Sequence, residues 1–170
     1  RNFVFNFKSE KCESHYAIIG MAHIANGFPL FYDAANEKGL CMAGLNFVGN
    51  AEYGEPIKGA TNVAQYEFIP FVLSRCQNVA EAKKLLQKIN LTKEPFSEKL
   101  PTAQLHWMIA DKDGAIVVEY THSGLGIYDD PAGVLTNNPP FPEQLFGLNN
   151  FMSLSPNEPE NRFSESLPLK

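Results

Sequence analysis

Apolar and polar residues alternate through Phe3, Phe5 and Phe7, and runs rich in β-branched or aromatic side chains follow at Tyr16–Ile24, Leu40–Phe47, Gln104–Ala110, Ala115–Thr121 and Leu125–Tyr128. A period of two over a short run predicts a strand. Between these runs lie Asn26-Gly27, Asn36-Glu37-Lys38-Gly39, Asp111-Lys112-Asp113-Gly114 and His122-Ser123-Gly124. Such residues accept positive φ in hairpin turns, so antiparallel pairing is expected. In mid-chain the period changes. Val79, Ala82, Leu85, Leu86 and Ile89 fall on one face of a helix that Asn78 caps, with Glu81 completing a capping box and Lys83, Lys84 and Lys88 left to solvent. Tyr66–Arg75 predicts a second helix, with Pro70 in its first turn or at a kink. Strands, then helices, then strands is the order of an α+β sandwich with helices layered on sheets, not of a doubly wound βαβ fold.

Length and composition narrow the function classes. The chain has 170 residues, enough for one domain or a piece of a larger one, and its 44% hydrophobic and 19% charged residues are those of a globular protein. Its net charge of −5 provides no basic field for nucleic acid or an anionic membrane surface. No apolar run is long enough to span a bilayer, and a soluble, cytoplasmic protein is expected. Cys12, Cys41 and Cys76 are odd in number and far apart, which suits a reducing compartment and a packing role better than a disulfide framework. Arg1 leads at once into an alternating strand, as if into the middle of a sheet, while residues 153–170 hold three prolines and no periodicity, as expected of a loop or tail.

Common catalytic patterns are absent: no H-E-x-x-H, no G-x-S-x-G and no phosphate-binding glycine loop. His15, His23, His106 and His122 are scattered through strands and turns and read as structural, so no metal or cofactor is expected. Asp111 and Asp113 lie in a Gly-terminated turn, where short polar side chains are ordinary. Asn46 and Asn137 stand out because each closes an apolar strand-like run, where a side-chain amide faces whatever lies beyond the sheet edge. An amide N–H so placed can stabilise an oxyanion; the alternative is a turn former. Ile89–Leu105 is a long irregular stretch whose Phe96, Leu100 and Leu105 either cap the core or line an apolar ligand pocket.

Three segments together resemble one family. Tyr32-Asp33-Ala34-Ala35-Asn36-Glu37-Lys38-Gly39-Leu40-Cys41-Met42-Ala43-Gly44-Leu45-Asn46-Phe47, Leu105-His106-Trp107-Met108 and Gly133-Val134-Leu135-Thr136-Asn137-Asn138-Pro139 are similar, in this order, to segments of the choloylglycine hydrolases. These are the conjugated bile salt hydrolases and penicillin V acylases of the N-terminal nucleophile superfamily. The resemblance implies a four-layer αββα sandwich, present here in part, with residues 1–170 forming the central part of one longer domain. It implies amide hydrolysis of glycine- or taurine-conjugated bile salts in a bacterial cytoplasm, by an N-terminal cysteine whose own α-amine is the base. That cysteine has no counterpart among these residues, so the isolated chain is expected to be inactive.

The same resemblance makes Asn46 and Asn137 the oxyanion and substrate-positioning pair, and Ala25, Tyr32, Phe96, Leu100 and Leu105 the wall of a sterol pocket. Asn46 stands where the acylases typically carry Tyr, which favours bile salts over penicillin V. Expected partners are the small-molecule substrate and either further copies in a homo-oligomer or the remaining parts of the same enzyme. A non-catalytic binding remnant for amphipathic acids is the rival reading.

Overall fold

The computed structural model describes residues 3–157 and Ser166. The opening Phe repeat forms a short ribbon rather than a central strand: β1 (Phe5–Asn6) pairs antiparallel with β2 (Lys11–Cys12). Phe5 and Phe7 are buried and stack at 5.3 Å, and Phe7 meets Phe71 edge-on at 5.3 Å. The alternation therefore reports packing against the helical layer and not a place in the main sheet.

Asn26 and Gly27, at φ of 50° and 76°, turn β3 (Ile18–Ala25) into β4 (Phe28–Asn36). β5 is Cys41–Asn46. The chain then leaves the sheet through β6 (Thr61–Ala64), a 3-10 turn at Gln65–Glu67, α1 (Phe68–Leu73), α2 (Val79–Leu86) and β7 (Ile89–Thr92). It returns as β8 (Leu105–Ala110), β9 (Ala115–Thr121) and β10 (Gly124–Asp129) and continues into α3 (Phe141–Gly147), which a 3-10 turn at Leu148–Phe151 follows. β3, β4, β5, β8, β9 and β10 form one antiparallel sheet in the order β10-β9-β8-β5-β4-β3. β6 and β7 make a separate parallel pair across the helical excursion, so Ile89 begins a strand instead of closing the helix face.

The main core lies on one face of the sheet. Met42, Ile109 and Ile116 sit side by side through their register, Trp107 pairs with Val118, and these side chains meet the wholly buried α1. The rings of Phe68 and Trp107 meet edge-on at 4.7 Å. Pro70 falls in the first turn of α1, where its missing N–H is harmless. Asn78 caps α2 by accepting from Glu81 N at 2.9 Å, while the Glu81 carboxylate reaches back to Gln77 N at 2.8 Å, one residue before the expected partner. The Val79 N–H of α2 donates to Asp111 in the β8–β9 turn at 2.7 Å. That bond, with those from Asp113 N and Gly114 N, holds the Asp111 carboxyl below its usual range. Asp111 is thus a turn and cap residue.

Asn36 joins the sheet to the helical layer. Its Nδ2 donates to Leu73 O at 2.9 Å and Cys76 O at 2.8 Å, and its Oδ1 accepts from Lys38 N at 3.0 Å and Leu40 N at 3.1 Å. Across β3 and β4, a Cβ on Gly20 would lie 2.2 Å from Asp33 O, so only glycine fits there. The opposite face of β3, β4, β5 and β8 presents Ile19, Met21, Ala35, Cys41, Ala43 and Met108 along a shallow trough, with Ile19 79% and Met21 68% exposed. Cys41, expected to pack, is exposed; Cys76 is buried, which pushes its thiol up to about 11.

Candidate active site

Asn46 is the last residue of β5, opposite Leu105 on β8. The strand end is firmly held. Phe47 is fully buried and stacks on His106 with ring centroids 4.2 Å apart, and its N–H donates to Gln104 O at 2.8 Å. His106 Nδ1 lies 3.0 Å from Glu119 Oε1, and the same oxygen accepts from Phe141 N at 2.9 Å, which ties α3 to the sheet. On α3, Gln144 grips the preceding loop: its Oε1 accepts from Thr136 N at 3.1 Å and its Nε2 donates to Pro139 O at 2.7 Å. Asn50 Nδ2 holds Asn138 Oδ1 at 2.7 Å from the other side. The Asn138–Pro139 peptide is cis. Asn137 therefore sits between two fastened residues, and neither its amide nor that of Asn46 is spent on a hydrogen bond among the described residues.

Both asparagines line one cleft of about 540 Å³. Tyr32, Phe96, Leu100 and Leu105 line it too, so six of the seven residues nominated from sequence converge. Ala25 does not: it ends β3, half-buried opposite Phe28, outside the lining. Tyr32 is exposed on β4, while Phe96 packs edge-on against Tyr66 at 5.1 Å. His23, Gln65, Tyr66, Ile69 and Trp107 are among the lining residues that had not been nominated. Gln65 and Tyr66 belong to the 3-10 turn before α1, a stretch whose composition signals only a helix start; Trp107 lay inside a segment already singled out, as a core residue in a strand. Burial, followed by the charges of Glu67 and Glu94, pushes the Tyr66 hydroxyl well above its usual range, so it stays protonated.

Among the described residues the lining contains no Ser, Thr or Cys. What the cleft offers is an apolar trough with two free amide donors at its rim, suited to holding a hydrophobic acid and steadying negative charge on a carbonyl oxygen. Among the described residues no group of three His, Cys, Asp or Glu converges as metal ligands, and no helix is long and apolar enough to cross a membrane.

A helical layer on an antiparallel sheet, with such a cleft at the ends of its central strands, is the arrangement of the N-terminal nucleophile amide hydrolases. Conjugated bile acid hydrolase from Clostridium perfringens, solved as a variant, superposes with a TM-score of 0.85 at 39% identity, covering 97% of this chain and 52% of that one. Penicillin V acylase from Agrobacterium tumefaciens superposes with a TM-score of 0.67 at 26% identity over 84% of this chain and 42% of that one. Residues 1–170 match the family of linear amide C-N hydrolases, choloylglycine hydrolase family, and the chain belongs to it. The bile salt hydrolase/transferase of Lactiplantibacillus plantarum is 51% identical over 162 residues, 95% of this chain and 50% of that protein. Its namesake from Clostridium perfringens is 43% identical over 93% of this chain and 49% of its own length. The chain thus spans about half the length of these relatives.

Proposed function

We propose that this chain is the central part of a bile salt hydrolase domain, supplying the steroid cleft and the two amide donors of an enzyme that cleaves glycine or taurine from conjugated bile salts. The convergence of Asn46 and Asn137 with Phe96, Leu100 and Leu105 in one cleft carries the reading. In the family's chemistry the sulfur of an N-terminal cysteine adds to the amide carbonyl carbon while its proton passes to the cysteine's own α-amine. The Asn46 and Asn137 amides receive the resulting oxyanion. The C–N bond then breaks, the proton goes to the departing amine, and water hydrolyses the thioester. This chain on its own binds and does not turn over. The enzyme so read works in a bacterial cytoplasm, as a homo-oligomer, without a cofactor.

Asn46 and the relatives' names favour bile salts over penicillin V. The test joins this chain to the family's N-terminal cysteine segment and C-terminal part and measures release of glycine from glycocholate, taurine from taurocholate and phenoxyacetate from penicillin V. Preferred turnover of the bile salts is expected. Preferred cleavage of penicillin V replaces the reading with an acylase, and tight bile salt binding without cleavage replaces it with a binding protein.

A further inference from the structure

The cleft wall is largely apolar, and among its few polar side chains one is buried. Gln65 opens the 3-10 turn between β6 and α1, is only 4% exposed, and lines the cleft beside Tyr66 and Ile69. Its side-chain amide makes no hydrogen bond among the described residues. The neighbouring polar side chain on that turn is fully engaged, since the Glu67 carboxylate accepts from Lys8 N at 2.8 Å and Ala64 N at 3.4 Å. A buried polar atom without a partner lies on the same wall: the indole N–H of Trp107. A Cβ on Gly44 would come within 3.2 Å of that nitrogen, so the wall is thinned to backbone there. An amide with no protein partner that reaches solvent only through the cleft makes a polar demand there that an aliphatic side chain of similar size would not make. Such a group in a binding cleft is satisfied by the ligand.

We propose that Gln65 determines specificity by pairing its amide with a hydroxyl on the ring system of an otherwise apolar acid. The cleft thereby selects hydroxylated steroid acids over the unsubstituted one. The inference rests on the steroid-acid reading of the cleft given above. The amide both donates and accepts, so it matches a hydroxyl in either sense. A site built to bond a polar group discriminates against the analogue lacking it far more strongly than an apolar wall discriminates by size.

Trp107 is the single tryptophan of the chain and lines the cleft, so its emission reports occupancy. The 170-residue chain is titrated with cholanoic acid, which has no ring hydroxyl, and with lithocholate, deoxycholate and cholate, all below micelle formation. At least one hydroxylated acid is expected to bind about tenfold or more tightly than cholanoic acid, the scale of one buried hydrogen bond. In Gln65→Leu that ratio is expected to fall to near one, with cholanoic acid bound as tightly as before or better. Its urea midpoint is expected to hold or rise, which separates recognition from folding. Binding of all four acids with the same ratio in Gln65→Leu overturns the role of Gln65 and leaves the steroid reading standing. Failure of every acid to bind the folded chain overturns the steroid reading itself and the proposal with it.

Discussion

Replacing Asn36 tests whether one side chain couples the sheet to the helices. Its four hydrogen bonds run to Leu73 O, Cys76 O, Lys38 N and Leu40 N, and Leu73, Cys76 and Leu40 are all buried. The two carbonyls lie at and just beyond the end of α1, where backbone acceptors lack intrahelical partners. In Asn36→Ala, Lys38 N turns to water, but three buried backbone groups lose their partner. At about 1–3 kcal/mol for a buried group left unpaired, with carbonyls at the low end, the loss is about 3–6 kcal/mol. That is a large fraction of the roughly 5–15 kcal/mol typical of a domain. With a urea slope of about 2 kcal/mol/M, the midpoint followed by Trp107 emission falls by about 1.5–3 M. Asn36→Asp is nearly isosteric yet sets a carboxylate oxygen against two carbonyls, so the folded state must protonate it. Its folded pKa is then raised above the unfolded value near 4, the variant's stability relative to the parent is highest below that pH, and it declines as pH rises through the folded pKa. At pH 7 Asp should cost at least as much as Ala. A loss under about 1 kcal/mol in Ala, or Asp milder than Ala at neutral pH, would refute the coupling.

Three further perturbations address the site and its frame. In the hydrolytic polypeptide, Asn137→Ala should reduce turnover by about two decades or more with little change in KM, as for a donor used mainly at the transition state; unchanged turnover returns Asn137 to the role of a turn former. Phe96→Ala removes the ring that packs on Tyr66 and should weaken steroid acid binding about tenfold while lowering the urea midpoint only modestly, because Phe96 is half-buried; equal affinity takes the loop out of the cleft wall. Asp111→Ala should cost about 1 kcal/mol at pH 7, the usual loss for a helix cap. Because the folded pKa of Asp111 is depressed, its contribution is present above the unfolded carboxylate range and is lost as pH falls through the folded value; urea midpoints of parent and variant should converge as the pH drops below the carboxylate range, and a constant gap would contradict this.

The sheet was legible where period and turn chemistry agreed. Asn26-Gly27 at the first hairpin, Asp111–Gly114 at the β8–β9 turn and the Asn78 cap all fall where local rules put them. β4 was not predicted, because Phe28–Tyr32 is apolar without alternation and includes Pro29. α3 was hidden by Pro140 and Pro142, which mark loops by composition yet fit a helix start, where the amides they lack have no partner. The parallel β6–β7 pair depends on a crossover, and no local signal encodes it. Asn46 and Asn137 drew notice as strand-ending amides, but that they share a cleft depends on α3 and Asn50 fastening the second loop, contacts remote in sequence. Ala25 was assigned by position in the family alone and lies outside the cleft lining.

The segment between β7 and β8 carries Phe96 and Leu100 but has no place in the sheet's register; it is fastened at its ends, by Thr102 Oγ1 donating to Lys93 O and by Tyr53 Oη donating to Ala103 O at 3.1 Å. Asn46, in contrast, is locked by strand pairing to Leu105. Insertions and substitutions in that loop can reshape the cleft while leaving the reacting amide where it is. Ligand preference and reaction geometry are therefore separately heritable, and a lineage built on this frame can drift in what it holds without relearning how to react.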